Sequence, residues 1–423
     1  MKKFFRNIVP LLLLILLNVI GILLMHVKGI DTLEDMAILC IIMCAVNIVM
    51  YAIIKIFSLG DSYLFIIISM LSSVGIIMQS RINQDNGIRQ MKLYLVGVVL
   101  YFIAVFAYKY LHKYLNKLTI VYWGVSMALF AFTLLFGAEI NGARSWILVA
   151  GISIQPSEFI KILFILSMAA VFTKGRSRKK GKYIPYLERK KIKSTRLLFA
   201  ATVAFSNAMC LFLQRDWGTA LLFFSIYIAL LYIYGENKWF FGANILMVLV
   251  AAFVGAKYMS HIQTRVSAWL DPFSDVENKG YQIVRSLYAI SEGGFAGNGI
   301  GAGSPYLIPV VSSDFIFAAI CEEMGVLGGV AVLMIYFLLV YRGFKIALSS
   351  TNEFNKAVAV GFSVMLGIQT FIIIGGVTKL IPLTGITLPF ISFGGSSMLT
   401  TFMVMGILQA ISSIKGEVTD EIE

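Results

Sequence analysis

Three carboxylates lie within one short stretch of the chain, WLDPFSDVENKGYQ, which covers residues 269–282. The 423-residue chain holds only 22 acidic residues, so the grouping of Asp271, Asp275 and Glu277 in one loop is unusual. Carboxylates on a loop can accept a proton during catalysis, or they can shape a turn. Asp271 followed by Pro272 favours a turn. From residue types alone, a turn is also the simpler interpretation of Asp275.

Two further charges stand at the start of an apolar run, IQPSEFIKILF. Glu158 and Lys161 are three residues apart, so a helix places them on the same side, where their charges can neutralise each other. Pro156 suits the first turn of that helix, and Ser157 or Gln155 is expected to cap it. The pair is either a structural ion pair or one wall of a polar cleft whose lysine helps to hold an anionic lipid headgroup.

Other acids lie at or inside apolar runs, where a charge is costly and marks a candidate functional position. Asp216 in QRDWGTA precedes one run and is expected to be its N-cap. Asp314 stands at the start of the later run SDFIFAAICEEMG, and Glu322 and Glu323 lie deeper within it. At least one of these glutamates is expected to accept hydrogen bonds from neighbouring loops or helices.

The composition indicates that an all-α polytopic membrane protein positions these residues. The chain is 59% hydrophobic and only 13% charged, and its mean hydropathy is +0.86. A soluble domain carries about 25% charged residues. Windows of roughly 19 residues predict twelve spans, near residues 8–27, 36–57, 62–80, 93–111, 118–136, 156–173, 197–213, 217–234, 239–258, 314–341, 355–377 and 388–413.

The distribution of Lys and Arg predicts the orientation of the chain in the membrane. The net charge is +13, and much of it lies in residues 173–196, which is expected to be a cytoplasmic loop with affinity for anionic membrane lipids. An even number of spans puts the basic segments 1–6, 108–117 and 341–345 on the same side. Both termini are therefore expected to be cytoplasmic, and the long loop 259–313 faces outward. No nucleic-acid partner is needed to explain the charge.

Two segments have an unusual composition. GGFAGNGIGAG (293–303) is superficially similar to a dinucleotide fingerprint, but no strand–turn–helix unit surrounds it. It is expected to be a flexible loop near a substrate path. LIPLTGITLPFISFGGSSML (380–399) is dense in Pro, Gly, Ser and Thr. Irregular backbone at membrane depth is tolerated only where it is buried or lines a cavity, so this segment is expected to line one.

Several motifs occur together in a characteristic order. They are NGARSWI, IQPSEFIKI, QRDWGTA, WLDPFSD, GYQ, GGFAGNG, SDFIFAAICEEMG and IPLTGITLPFISFGGSS. In this order and spacing they resemble the SEDS family (shape, elongation, division and sporulation), which includes RodA, FtsW and SpoVE. The resemblance implies a core of ten spans at residues 59–413. It leaves two extra spans in residues 1–58 and a cytoplasmic tail at 414–423.

The family resemblance implies a peptidoglycan glycosyltransferase of the bacterial cytoplasmic membrane. Such an enzyme polymerises lipid II at the outer face, for division, elongation or sporulation, usually with a class B penicillin-binding protein that crosslinks the glycan. A sugar hydroxyl attacks an anomeric carbon, and a carboxylate accepts its proton. The essential aspartate of the family corresponds to Asp275. Asp271 then shapes the turn, and Glu277 lies outside the family pattern, because Val276 and Glu277 stand where Pro and Gly are usual.

The diphosphate leaving group needs cations to stabilise it. These are either Arg and Lys side chains or a divalent metal ion, Mg²⁺ or Mn²⁺, whose ligands the sequence does not assign. The motifs and the cations near them imply a set of substrate-binding residues: Arg144, Trp146, Glu158, Lys161, Arg265, Lys279, Tyr281, Gln282, Arg285, Asp314, Glu323 and Ser396.

Two other functions remain open at this point. Many spans, charges within them and a broken segment also suit a flippase of the lipid-linked precursor, although no inverted repeat is evident. The third hypothesis is a scaffold that recruits a class B penicillin-binding protein and has lost catalysis. A long, aromatic-rich outward loop with an acidic motif favours the polymerase over both.

Overall fold

The computed structural model describes residues 2–27, 33–140, 142–149, 152–174 and 194–414. Most of the basic segment 173–196 and nearly all of the predicted tail 414–423 lie outside the described residues. The described helices are α1 (Lys2–Val27), α2 (Leu33–Ile56), α3 (Ser62–Ile82), α4 (Gln84–Leu115), α5 (Thr119–Phe136), α6 (Pro156–Thr173), α7 (Ser194–Leu213), α8 (Trp217–Tyr234), α9 (Lys238–Tyr258), α10 (Ser260–Leu270), α11 (Tyr281–Gly293), α12 (Ile316–Ser349), α13 (Glu353–Val377) and α14 (Gly395–Ser413). The described strands are β1 (Ala138–Ile140), β2 (Ala143–Val149) and β3 (Ile152–Ile154).

Twelve of the described helices are long and apolar enough to cross a membrane, namely α1 to α9 and α12 to α14. This number confirms the prediction of twelve spans and the all-α polytopic class. The other two helices, α10 and α11, lie within the predicted loop 259–313. That loop therefore contains two helices, in keeping with the aromatic residues that let it pack.

The chain divides into two compact units. The first unit comprises Met1–Leu100, Ser260–Leu339 and Gln369–Met405. The second unit comprises Tyr101–Met259, Val340–Ile368 and Gly406–Glu423. Each unit is therefore assembled from segments that are far apart in the sequence.

Helix α3 lies in the interior of the first unit. From Leu64 to Ser80 every residue except Met70 is buried. Its start is set by Asp61, whose carboxylate accepts a hydrogen bond from the Tyr63 N–H at 3.0 Å and so satisfies an amide that the helix leaves open. A helix buried on all sides can contact several other segments of the unit along its length.

The two N-terminal helices pack against α3 within the first unit. Leu14 of α1, Tyr51 of α2 and Ile66 of α3 belong to one buried apolar cluster. Asn47 of α2 accepts a hydrogen bond at 2.7 Å from the hydroxyl of Tyr94 in α4, and both side chains are buried. A hydrogen bond between membrane helices contributes only a modest energy. It helps to fix how the two helices are aligned, because neither buried group can bond to water instead.

Helix α12 is kinked at Gly325. The residue has a φ of 67°, which lies outside the helical region and favours glycine. A Cβ at this position would lie 2.4 Å from both the amide nitrogen of Gly297 and the carbonyl oxygen of Phe295. Both the backbone angle and this close approach therefore require glycine at the kink.

The glycine-rich loop 293–303 is hydrogen-bonded to the kinked part of α12. The amides of Asn298 and Gly299 donate to the carbonyls of Glu322 and Glu323 at 3.1 and 2.9 Å. These bonds replace the ones that the helix loses at the kink. The loop is thus anchored to α12, which differs from the flexible loop expected from its composition; glycines allow the two backbones to approach closely.

Residues 378–394, between α13 and α14, contain no regular helix or strand, as the composition predicts. Buried side chains of the first unit hold this segment in place. The amide of Gln90 donates to the carbonyl of Phe390 at 3.4 Å, and the hydroxyl of Tyr336 donates to the carbonyl of Pro389. These contacts satisfy backbone groups that have no partner in a helix.

The second unit contains a three-stranded antiparallel sheet between α5 and α6, with the strand order β1-β2-β3. Ala138 is opposite Trp146, and Ile147 is opposite Ile154. From the sequence, residues 138–154 are expected only to form a loop. The sheet pairs the backbone groups of a segment whose Ile, Val and Trp content suits strands.

Candidate functional site

Asp275 ends a short 3₁₀ turn, Pro272–Asp275, that follows α10 in the first unit. Its carbonyl accepts a hydrogen bond from the Gly280 N–H at 2.9 Å, which closes residues 276–279 into a turn. A Cβ on Gly280 would lie 1.9 Å from the carbonyl oxygen of Pro272, so this position needs glycine. The VENKG sequence therefore forms a closed turn after the aspartate.

The same turn holds the carboxylate of Asp275 in place. Its Oδ1 accepts a hydrogen bond from Asn278 Nδ2 at 3.1 Å, and its Oδ2 faces the Lys279 N–H at 3.5 Å. The hydrogen bond from the Asn278 side chain is the largest cause that lowers the pKa of Asp275, and desolvation only partly opposes it. Asp275 is only partly buried. It is thus an ionised, accessible carboxylate that can accept a proton.

The two neighbouring acids differ from Asp275 in their surroundings. Asp271 occupies the N-cap position of the 3₁₀ turn, and its carbonyl accepts a hydrogen bond from the Ser274 hydroxyl at 2.8 Å. Its side chain makes no capping hydrogen bond. Glu277 is exposed. This agrees with the interpretation that the backbone of Asp271 shapes the turn and that Glu277 is solvated.

Arg265 of α10 lies close to Asp314 in the first unit. A Cβ built on Gly385 would be 3.6 Å from the Asp314 carboxylate and 3.7 Å from the Arg265 guanidinium. Arg265 also donates to the carbonyl of Leu383 at 3.0 Å. Burial raises the pKa of Asp314, whereas a hydrogen bond from Ser313 and the charge of Arg265 oppose that shift. These contacts bring two predicted substrate-binding residues together.

Five other predicted residues of the first unit lie at or next to helix starts. Lys279 is exposed directly before α11, and Gln282 is exposed in its first turn. The guanidinium of Arg285 lies 5.3 Å from the centre of the Tyr281 ring, which is within the range of a cation–π contact. Ser396 is buried in the first turn of α14. The roles of these residues stay predictions.

Glu323 forms an ion pair with Arg81 of α3. Nε of Arg81 lies 2.8 Å from Oε1 of Glu323, and the two side chains are 15% and 0% exposed. Arg81 also donates to the carbonyl of Gly303 at 2.9 Å, and Glu322 accepts a hydrogen bond from the Ser304 N–H. The expectation that these glutamates accept hydrogen bonds is confirmed. One carboxylate oxygen of Glu323 is occupied by this structural contact.

Glu158 and Lys161 form an ion pair in the second unit. Their charged groups are 2.7 Å apart, and both side chains are buried, which confirms the pairing predicted from their spacing. Gln155 is the N-cap residue of α6, but its side chain makes no capping hydrogen bond. It donates instead to Asp216 at 3.1 Å. Of the two caps considered, Gln155 takes the N-cap position, but without a side-chain capping bond.

Asp216 joins the starts of two helices in the second unit. Its Oδ1 accepts a hydrogen bond from the Thr219 N–H at 3.2 Å, which confirms that it is the N-cap of α8. Burial raises the pKa of Asp216, and the nearby charge of Glu158 adds to this, while hydrogen bonds from Thr219 and Gln155 oppose it. Gln155, Glu158, Lys161 and Asp216 thus form a polar cluster at the start of α6.

Arg144 and Trp146 lie on β2 of the second unit. The guanidinium of Arg144 donates to the carbonyls of Gly137 at 3.0 Å and Leu135 at 3.4 Å. Those carbonyls lie at the C-terminal end of α5, where cations are stabilising. The exposed Arg144 therefore already serves the local fold. Trp146 is only half-buried, and its role stays a prediction.

No group of three or more His, Cys, Asp or Glu residues that could hold a metal ion occurs in the described part of the chain. A preformed metal site built from such side chains does not fit these residues. Mg²⁺ is often bound through one or two carboxylates together with substrate phosphates. The alternative of a Mg²⁺ or Mn²⁺ ion in place of Arg and Lys side chains therefore stays a prediction without assigned ligands.

Two residues near the end of α3 make buried contacts that the sequence does not predict. Arg81 pairs with Glu323, and Gln79 donates to the carbonyls of Ser312 and Ile391 at 2.7 and 3.2 Å. The only signal in the sequence is the polar pair itself at the end of a strongly apolar run. Their partners lie more than 200 residues away in the sequence.

The comparisons with known proteins agree with the motifs. The family model described as "Cell cycle protein", which covers FtsW, RodA and SpoVE, matches residues 55–416. The chain is 35% identical over 367 residues to the peptidoglycan glycosyltransferase RodA of Mycobacterium tuberculosis, covering 83% of this chain and 78% of that one. It is 37% identical over 275 residues to the stage V sporulation protein E of Bacillus subtilis, covering 64% and 72% of the two chains.

Solved structures show the same fold. A chain from a structure described as "Structural coordination of polymerization and crosslinking by a peptidoglycan synthase complex" matches with a TM-score of 0.70 and 25% identity, over 85% of this chain and 99% of that one. The rod shape determining protein RodA of Thermus thermophilus matches with a TM-score of 0.59 and 23% identity, over 84% and 96% of the two chains. The chain is a multi-pass membrane protein that belongs to the FtsW, RodA and SpoVE family.

Proposed function

We propose that this protein is a peptidoglycan glycosyltransferase that polymerises lipid II, with Asp275 as the general base. Curated relatives at 35% identity are named peptidoglycan glycosyltransferases, and the family match covers most of the chain. The observation that carries the site assignment is the accessible carboxylate of Asp275, which hydrogen bonds from Asn278 and Lys279 hold ionised.

The chemistry suits a single carboxylate. A sugar hydroxyl attacks the anomeric carbon of a lipid-linked sugar, and the lipid diphosphate leaves with the electron pair of the broken bond. The leaving group needs little acid assistance, whereas the hydroxyl must lose a proton. Asp275 would accept that proton as the new glycosidic bond forms. A direct displacement inverts the anomeric centre and needs no covalent sugar–enzyme intermediate.

Cationic side chains of the first unit would stabilise the diphosphate. Lys279 is exposed beside Asp275, and Arg285 lies on the Tyr281 ring one turn into α11. Arg265 lies ten residues before Asp275, next to Asp314. Guanidinium groups bind diphosphate oxygens in a bidentate manner, so Arg265 and Arg285 suit this role better than a lysine does.

The orientation and the partner are also part of the proposal. The Lys and Arg distribution favours cytoplasmic termini and an outward segment 259–313, which would place Asp275 at the outer face of the bacterial cytoplasmic membrane. A class B penicillin-binding protein is the proposed partner. Support comes from the similar solved structure of a peptidoglycan synthase complex, which is described as coordinating polymerisation and crosslinking.

An assay of two activities tests this function. The purified protein, alone and with its class B penicillin-binding protein, is given lipid II, and the products are separated on a gel. The same protein in liposomes is tested for movement of lipid II across the bilayer. Polymer formation supports the proposal. Translocation without polymer would favour the flippase, and neither activity, with crosslinking by the partner stimulated, would favour the scaffold.

A further inference from the structure

The side chain of Gln79 joins two irregular loops of the first unit. It lies in the last turns of α3 and is fully buried. Its Nε2 donates to the carbonyl of Ser312 at 2.7 Å and to that of Ile391 at 3.2 Å. Two carbonyl acceptors require the NH₂ group at this position, so the contacts define the orientation of the amide. One side chain therefore bridges segments that are about 80 residues apart in the chain.

The two loops also contact each other at the same place. The Phe393 N–H donates to the carbonyl of Ser312 at 2.8 Å, so that carbonyl accepts from both Phe393 and Gln79. The hydroxyl of Ser392 donates to the carbonyl of Ser313. We name this set of contacts the Gln79 junction, which comprises Gln79, Ser312, Ser313 and residues 391–393. Two of these bonds join the loops directly, and two join them through Gln79.

Both loops contain a strained residue near the junction. Val310 has a φ of 52° and Phe390 a φ of 68°, values that branched and bulky residues rarely adopt. Such conformations persist only where the surrounding structure holds them. Gln79 bonds to Ser312, two residues after Val310, and to Ile391, directly after Phe390, so it is bonded to both strained loops at once. If Gln79 is removed, the loops can relax towards ordinary backbone angles.

The Gln79 junction is adjacent to residues of the proposed site. Asp314 follows Ser313, and its N–H donates to the carbonyl of the strained Val310. Asp314 lies beside Arg265 on α10, and the turn that holds Asp275 follows that helix. A shift of Ser312 would therefore move Asp314. It would also change the contact between Asp314 and Arg265, and Arg265 lies on α10. Gln79 would thus act on the proposed site through these residues and not by contact with the substrate.

We infer that Gln79 is a positioning residue for catalysis: its amide sets the 308–314 loop against the 388–393 loop, and so places Asp314, Arg265 and the Asp275 turn. This inference rests on the proposed glycosyltransferase function. Displacement of a reacting group by about 1 Å can cost about a hundredfold in rate. A loss of alignment should lower kcat, whereas KM for lipid II should change little because the contacts to substrate remain.

Gln90 provides a matched control. It is also a fully buried glutamine of the first unit, and its Nε2 donates to the carbonyls of Phe390 and Ser392, both at 3.4 Å. Those acceptors belong to the 388–393 loop only. Replacing Gln90 removes a buried amide of the same type without cutting a contact to Ser312. The comparison separates the bridging role from the general cost of losing a buried hydrogen bond.

The experiment compares Gln79→Met and Gln90→Met in the full-length protein. Polymerisation of lipid II is measured per amount of monodisperse protein, with kcat and KM determined separately. Gln79→Met is expected to lower kcat by about tenfold to a hundredfold and to change KM by less than about threefold. Gln90→Met is expected to keep kcat within about threefold. If Gln79→Met does not fold, Gln79→Asn, which retains an amide on a shorter side chain, is expected to show a smaller loss of kcat.

Amide hydrogen exchange gives a readout that does not depend on activity. Gln79→Met is expected to speed exchange in both the 308–314 and the 388–393 peptides, and Gln90→Met only in the second. The inference is overturned if the two variants have the same kcat, or if Gln79→Met leaves exchange in the 308–314 peptide unchanged. A wild-type protein that makes no polymer would instead refute the proposed function, and the exchange comparison would still decide whether Gln79 joins the loops.

Discussion

The central residue of this account is Asp275, whose surroundings favour the ionised form. Asn278 and the Lys279 amide both donate to its carboxylate, and this lowers its pKa. A lower pKa also makes a carboxylate a weaker base. The turn thus holds the carboxylate of Asp275 in a fixed position and keeps it ionised, but it also makes the carboxylate a weaker base. Residue types alone predict that Asp275 shapes a turn. In the structure its backbone carbonyl does close a turn, and its carboxylate stays accessible.

Replacing Asn278 by Ala is expected to move the pH dependence of polymerisation. The substitution removes the largest cause that lowers the pKa of Asp275, so that pKa rises towards the ordinary value of a carboxyl group. A general base is lost when it is protonated, and the acidic limb of kcat/KM should therefore move to higher pH. Rates measured from about pH 2.5 to pH 7, a range that includes the ordinary Asp pKa of about 3.9, check this. An acidic limb that stays in place would show that Asp275 does not control it.

At the scale of elements, α3 is the helix that connects the parts of the first unit. Its N-terminal part packs against α1 and α2, and its last turns carry Gln79 and Arg81. Arg81 contacts both α12, through Glu323, and the glycine-rich loop, through Gly303. The loops near the proposed site are therefore hydrogen-bonded to a helix that lies far from Asp275 in the sequence.

The Arg81 and Glu323 pair should behave as a buried ion pair in a double-mutant comparison. Arg81→Met alone leaves the carboxylate of Glu323 buried without its cation, which is expected to cost about 3–5 kcal/mol of stability. Glu323→Met alone should cost a similar amount. The double variant should recover most of that loss, because two apolar side chains of similar size can replace the pair. Thermal unfolding in detergent measures this, and additive losses in the double variant would contradict it.

Removing residues 1–58 is expected to lower stability but to spare polymerisation. The truncation exposes the apolar face of α3 and removes Asn47, the partner of the Tyr94 hydroxyl. That hydroxyl retains a contact to Ser69 at 3.5 Å. None of the predicted site residues lies in the deleted part. A truncated protein that is folded, as judged by size-exclusion chromatography, yet makes no polymer would show that α1 and α2 take part in function.

Local patterns predict the helices well because each span carries its own apolar run. The spacing of Glu158 and Lys161 likewise predicts their ion pair, and Asp216 is a cap because its neighbours define a helix start. Contacts between distant segments are different. Nothing near Arg81 or Gln79 in the sequence identifies Glu323, Ser312 or Ile391 as partners. The β1–β3 sheet is missed because its three strands are short and lie between two spans.

At the scale of the whole molecule, the proposed function depends on the orientation of the chain in the membrane. Positive charge favours cytoplasmic loops, so the 108–117 segment should be inside and the 259–313 segment outside. Glu277 and Lys117 are exposed residues of these two segments. They offer a matched pair of positions for chemical labelling. The proposed reaction with lipid II at the outer face requires the 259–313 segment to lie outside.

Single cysteines at Glu277 and Lys117 test the orientation. In spheroplasts, a membrane-impermeant maleimide is expected to label Glu277→Cys and not Lys117→Cys, and both should react after the membrane is solubilised. Wild-type protein measures the background from its four native cysteines. Labelling of Lys117→Cys alone in intact spheroplasts would reverse the orientation and contradict the proposed location of the site.

The most direct measurement compares Asp275→Asn with Asp271→Asn in polymerisation of lipid II by the purified protein and its partner. Both changes remove one carboxylate from the same loop with little change of shape. Asp275→Asn is expected to lower the rate by about a hundredfold or more, since general bases contribute about 10²–10⁴. Asp271→Asn should stay within a few-fold of wild type, because its side chain makes no capping hydrogen bond. Polymer formed at the wild-type rate by folded Asp275→Asn would contradict the central claim.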